Sequence, residues 1–109
     1  MAGEFEGLFA RSRAFGWDNN KRKWTLSNRG IDFDEVRVIF DGPTIAYRSD
    51  RMGEVRYVVF GFLEGREVAV VCTFRDDLCW IISARRASRN ERKKYHDYLP
   101  RRSAPERQD

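Results

Sequence analysis

Apolar positions recur at two different spacings along this chain, and the change falls at Pro43. Before it, Phe15-Gly16-Trp17 reads as a brief strand, and Asp18 is placed to cap a helix through Asn28 that buries Trp24 and ends at Gly30. Asp32 with Glu35 has the reciprocal spacing of a capping box. Phe33, Val36, Ile39 and Phe40 form an apolar stripe, and Gly42-Pro43 stops this second helix. After Pro43 the period becomes two, predicting strands over 44–47, 55–63, 66–74 and 78–84. Glu64-Gly65 and Arg75-Asp76-Asp77 are tight turns joining antiparallel neighbours, so the last three strands form a meander, while 48–54 is a longer polar loop. Ser88 with Glu91 is another capping box, opening a helix with Tyr95, Tyr98 and Leu99 on one face until Pro100 ends it.

The predicted class is α+β, with two N-terminal helices, a four-stranded, mainly antiparallel sheet and a C-terminal helix. A chain of 109 residues supports one core, placed at 15–100 between an N-terminal extension, 1–14, and a flexible basic tail, 101–109. Phe5, Leu8 and Phe9 in the extension suit either a short amphipathic turn or an irregular leader.

Charge sharpens this picture, because residues 1–84 hold 12 Lys/Arg and 13 Asp/Glu whereas 85–109 hold 9 and 4. The net +4 is therefore concentrated at one end, where it steers polyanions such as RNA, DNA or an acidic protein; a solvated basic helix explains the same count. Seventeen of the 21 basic residues are arginine, whose planar fork binds phosphate or carboxylate bidentately. The sequence has no apolar signal segment and no run that spans a membrane, which places the protein in a reducing cytoplasm. Strand alternation sets Cys72 and Cys79 on opposite faces, without a disulfide. Two cysteines and the single His96 are too few for a metal site, so no metal or cofactor is expected.

The segment joining the last strand to the last helix, Ile81-Ile82-Ser83-Ala84-Arg85-Arg86-Ala87-Ser88-Arg89-Asn90-Glu91-Arg92, packs arginines around the join. Alternation sends Arg85 to the face of Ile81 and Ser83 and Arg86 to that of Ile82 and Ala84, so the two cannot line one surface. Arg51, Arg56, Arg75, Arg85, Arg86, Arg89 and Arg92, with Glu54, Tyr57 and Tyr95, are the groups that could stabilise a phosphorane and move a proton without metal. Each arginine taken singly is equally explained by a surface ion pair, and Glu54 by pairing with Arg51 or Arg56. His96 falls towards the end of its helix, facing solvent. Trp17, Trp24 and Trp80 offer faces for base stacking, although core burial accounts for Trp24 and Trp80 as well.

In order along the chain, Phe15-Gly16-Trp17-Asp18, Lys21, Gly30 with Asp32-Phe33, Phe40-Asp41-Gly42-Pro43, Asp50-Arg51, Gly53-Glu54-Val55-Arg56-Tyr57 and Ile81-Ile82-Ser83-Ala84-Arg85-Arg86-Ala87 form a distinctive series. The series resembles the BrnT family of toxins over residues 15–98, most specifically where the Ile-Ser-Ala-Arg segment is followed by Glu91, Arg92 and Tyr95. The resemblance implies a RelE-like fold and a type II toxin–antitoxin toxin that cleaves RNA as a ribosome-independent endoribonuclease and so inhibits translation. It also implies a BrnA-like antitoxin whose ribbon-helix-helix region dimerises, bridges two toxins and binds operator DNA. On this resemblance Arg51, Glu54, Arg75, Arg85 and Tyr95 carry catalysis, and Lys21, Arg29, Arg56, Arg86, Arg89 and Arg92 contact RNA. One departure stands out: Asn28-Arg29-Gly30 replaces the Lys-His-Gly usual in the family, and arginine cannot supply a histidine's proton transfer. The alternative reading is a non-catalytic or degenerate toxin acting as a basic module that binds nucleic acid or antitoxin.

Overall fold

Pairing of the first strand with the last gives the fold its frame. In a computed structural model describing residues 14–107, the order is β1 (Ala14–Trp17), α1 (Asn19–Arg29), α2 (Phe33–Val36) running into a 3₁₀ turn (Arg37–Asp41), β2 (Ile45–Arg48), β3 (Tyr57–Leu63), β4 (Arg66–Arg75), β5 (Leu78–Arg86) and α3 (Arg89–Arg107). Residues 1–13, with the expected leader, lie outside the described residues. The periodicity predicts four antiparallel strands, whereas the sheet holds five in the order β1-β5-β4-β3-β2, with β1 parallel to β5. The brief strand at 15–17 has become an edge. Both hairpin turns have two central residues at positive φ, Glu64-Gly65 and Asp76-Asp77, which matches the twist of the flanking strands.

Asp18 caps α1 by accepting from the Asn20 and Lys21 amides. The second helix differs from the expected continuous one, because α2 gives way to 3₁₀ geometry after Val36. Its capping box does not form: the Asp32 carboxylate takes the Asp34 amide and two nitrogens of Arg22 (2.7 and 3.2 Å), with no reciprocal bond from Glu35. Two corrections concern aromatic and proline positions. Trp24 is 54% exposed, the buried residue of α1 being Thr25. Helix α3 runs through Pro100 to Arg107, although proline has no N–H to continue the bonding ladder.

The core has two sides. Helices α1 and α2 cover one face, where Phe33, Val36 and Ile39 pack on Tyr57, Val59, Val70, Cys72, Cys79, Ile81 and Ala84. Gly61 permits this approach, since a Cβ there would stand 2.6 Å from that of Ile39. Val58, Phe60, Ala69 and Tyr95 form a smaller cluster on the opposite face, under α3. Cys72 and Cys79 share the first face, against the expected opposite placement, because the two-residue turn sets Phe74 across from Cys79 and Cys72 diagonal to it. Both are free, and the Cys79 neighbour together with burial pushes the Cys72 thiol up.

Candidate functional site

A β-bulge decides which side chains of β5 reach the second face. Cys72 pairs with Ile81 and Val71 with Ser83, so Ile82 is the extra residue and the alternation reverses across it. Ile81 and Ala84 both enter the first core, which places Arg85 on the face opposite Ile81 rather than beside it as simple counting predicts. Trp80, ahead of the bulge, and Arg85, beyond it, therefore share the second face with Thr73, Arg75 and Val71 of β4. Arg86 turns away and is exposed.

At one end of this face a carboxylate sits between two guanidiniums. Glu54 Oε1 accepts from Arg56 Nε at 3.0 Å, and Oε2 from Arg75 Nη2 at 3.2 Å. Arg56 first, then Arg75, holds the Glu54 carboxyl below the usual carboxylate range. Arg75 lies 4.9 Å from the centre of the Trp80 ring, a cation–π contact. The indole rests over β1, where a side chain in place of Gly16 would meet it at 2.9 Å. The expected polar loop before β3 is ordered by reciprocal bonds of 2.9 Å between the Arg51 and Glu54 backbones, which close a turn at Met52-Gly53 and leave Arg51 exposed beside the cluster. Thr73 anchors the same segment, donating its hydroxyl to the Val55 carbonyl at 2.8 Å.

The other end is built around the start of α3. Arg85 forks onto Glu91 at 2.8 and 2.9 Å, while Glu91 accepts the Ser88 amide and returns its own amide to the Ser88 hydroxyl. The predicted capping box is thus present and carries an arginine as well. Arg85, followed by the Ser88 amide, holds the Glu91 carboxyl at about 2. Arg92 donates to the Ala87 carbonyl, Arg29 donates to the Ala84 carbonyl and lies over the Trp24 ring, and Arg89 is exposed. Lys21 is exposed on α1, which covers the opposite face. Tyr95 is 1% exposed and gives its hydroxyl to the Pro43 carbonyl at 3.0 Å; burial pushes its pKa up. His96 is exposed and bonded to Glu67.

The expected catalytic set is therefore divided between two places. Glu54 and Arg75 come together with Arg56, Arg51 is joined to Glu54 through backbone bonds, and Arg85 and Tyr95 belong to the junction with α3. Arg75 and Ala69, the partner of Arg85, are six residues apart on β4, a rise of about 20 Å. Two neighbours were not singled out from the sequence. Thr73 reads as an ordinary strand residue, and Tyr47, 44% exposed and tilted on Phe60, carried no signal beyond its place in a short strand. Among the described residues no three His, Cys, Asp or Glu side chains gather as a metal set, and no helix is long and apolar enough to cross a membrane.

Comparison with known families returns one described as the ribonuclease toxin, BrnT, of type II toxin–antitoxin systems, matched over residues 17–91. No curated protein sequence matches the chain.

Proposed function

Because the chain belongs to the BrnT family of type II toxin–antitoxin ribonuclease toxins, we propose that it is an endoribonuclease that works without a metal ion, with its chemistry at the Glu54 cluster. The observation carrying this reading is the single carboxylate held between Arg56 and Arg75, beside the half-buried Trp80 indole. Glu54 takes the proton of a ribose 2′-hydroxyl as that oxygen attacks the adjacent phosphorus. Arg75 and Arg51 balance the charge on the phosphorane, and the 5′-oxygen leaves with a proton from water. The products are a 2′,3′-cyclic phosphate and a 5′-hydroxyl. Trp80, with Arg75 over its ring, holds that guanidinium beside the carboxylate. Arg85, Arg89 and Arg92 form the basic margin along which RNA extends; Arg86 turns away from this face, Arg29 is tied to the Ala84 carbonyl from α1, and Tyr95 serves packing because its hydroxyl is already committed to Pro43.

A toxin of this type is paired with a cognate protein antitoxin. We assign it an antitoxin with a ribbon-helix-helix region, two toxins joined by its dimer, operator DNA bound through that region, and a cytoplasmic site of action.

Cleavage of a defined single-stranded RNA in excess EDTA, with product ends identified by mass, tests the reading. Cyclic phosphate ends are expected, falling on the order of a hundredfold in Arg75→Ala. Undiminished cleavage by that variant, or an absolute need for metal, overturns it. A second reading, a degenerate toxin that binds without cutting, draws on Arg29, which holds the Ala84 carbonyl and cannot act as an acid or base. Gain of cleavage in Arg29→His would favour it.

A further inference from the structure

Between the β2 edge and the first turn of α3 lies a groove of about 470 Å³, lined by Ile45, Tyr47, Phe60, Ser88, Asn90 and Lys94. Such a volume is in the range of small-molecule sites. It opens on the same face as the Glu54 cluster: Tyr47 pairs with Val58, Val58 with Val71, and Val71 with Ser83, forming one row across the sheet. Val71 is four residues from Arg75 and Tyr47 lies two strands across from Val71, so about 13 Å along the strands and about 10 Å across them put Tyr47 about 16 Å from the proposed cleavage centre. A few nucleotides of extended single-stranded RNA span that separation.

The lining has the chemistry of base recognition. Tyr47 supplies an exposed aromatic face and is held by Phe60, with ring centroids 5.6 Å apart. Among the described residues no partner takes the Asn90 amide, which offers both a donor and an acceptor to a base edge. Lys94 brings positive charge to the rim, whereas Glu91 is occupied by Arg85 and Ser88. An aromatic platform, a free amide and a cation together fit a single-stranded nucleotide better than an apolar protein side chain.

We propose that this groove binds one base of the RNA a few nucleotides from the scissile phosphate, and that Tyr47 and Asn90 set the sequence preference of cleavage. The inference rests on the ribonuclease reading above. Its test is binding of four homopolymeric 2′-O-methyl RNA oligonucleotides, which lack the attacking hydroxyl, alongside cleavage-site mapping on ordinary RNA. Tyr47→Ala should weaken binding of the preferred homopolymer about tenfold or more, and Tyr47→Phe, which keeps the ring, should recover most of it. Asn90→Ala, on an exposed helical position, should reduce discrimination among the four and shift the mapped sites while cleavage persists. Unchanged affinities and cut sites in both alanine variants overturn the inference and leave the ribonuclease reading standing. Weakened antitoxin binding with unchanged RNA binding overturns it in favour of a protein-docking groove. Failure of the unmutated protein to bind any of the oligonucleotides or to cleave RNA overturns both readings.

Discussion

Glu54 is a weak base by virtue of its neighbours. The two guanidiniums, Arg56 first, lower the Glu54 pKa, so the carboxylate is an available acceptor at neutral pH at the cost of proton affinity. Under the proposed mechanism the acid limb of the cleavage profile lies below the ordinary glutamate value of 4.5. Removing Arg56, the larger cause of the depression, should move that limb to higher pH in Arg56→Ala. Glu54→Gln should lower cleavage by roughly 10²–10⁴-fold. An unmoved limb in Arg56→Ala, measured on folded protein, would count against Glu54 as the proton acceptor. The sequence offered Glu54 and its arginines as candidates because residue types carry chemistry. Its pairing with Arg56 was one of two partners the sequence offered, whereas the contact from Arg75 was not legible, since Arg75 arrives from another strand, 21 positions away in sequence. Trp24 shows the converse, where burial statistics for tryptophan lost to a helix whose inward position is Thr25.

At the scale of elements, local signals were legible and non-local ones were not. The Ser88–Glu91 box formed as spaced because its partners lie within one turn. Its Asp32–Glu35 counterpart failed because Arg22, on another helix, took the carboxylate. The bulge at Ile82 has no mark in the sequence, yet it alone sets Arg85 towards α3. Glu91 binds both the strand's last turn and its own helix, so Glu91→Gln should cost on the order of 2 kcal/mol. That corresponds to a Tm lower by roughly 10 °C in a domain of this size. Its folded pKa is depressed, so this stabilisation is full above the ordinary 4.5 and fades as pH falls towards about 2. Thermal melts of both forms at pH 7 and pH 3 check this, and a gap that fails to narrow at the lower pH would exclude Glu91 as its source.

For the whole molecule, composition located most of the positive charge at one end of the chain but left open how the basic residues are shared between faces. Arg75 and Arg85 reach the second face and Arg56 is joined to Arg75 through Glu54, while Arg86 and Lys21 do not reach it. An antitoxin that silences the proposed centre must cover or distort that face with acidic groups. Two copies of the 12.9 kDa chain are expected in the purified complex with an antitoxin dimer, as measured by light scattering or native mass. A strict one-to-one complex would refute the bridged arrangement.

The parallel edge formed by β1 has a consequence for synthesis. Ala14 must wait for Leu78, and Trp17 for Ile81, before β1 has its neighbour. Closing so long a loop makes this pairing a late event in folding. Trp80 comes to rest over Gly16 only then, and Arg85 meets Glu91 only after the start of α3 has left the ribosome. A growing chain therefore carries separated pieces of its basic face until β5 and the start of α3 have both been made.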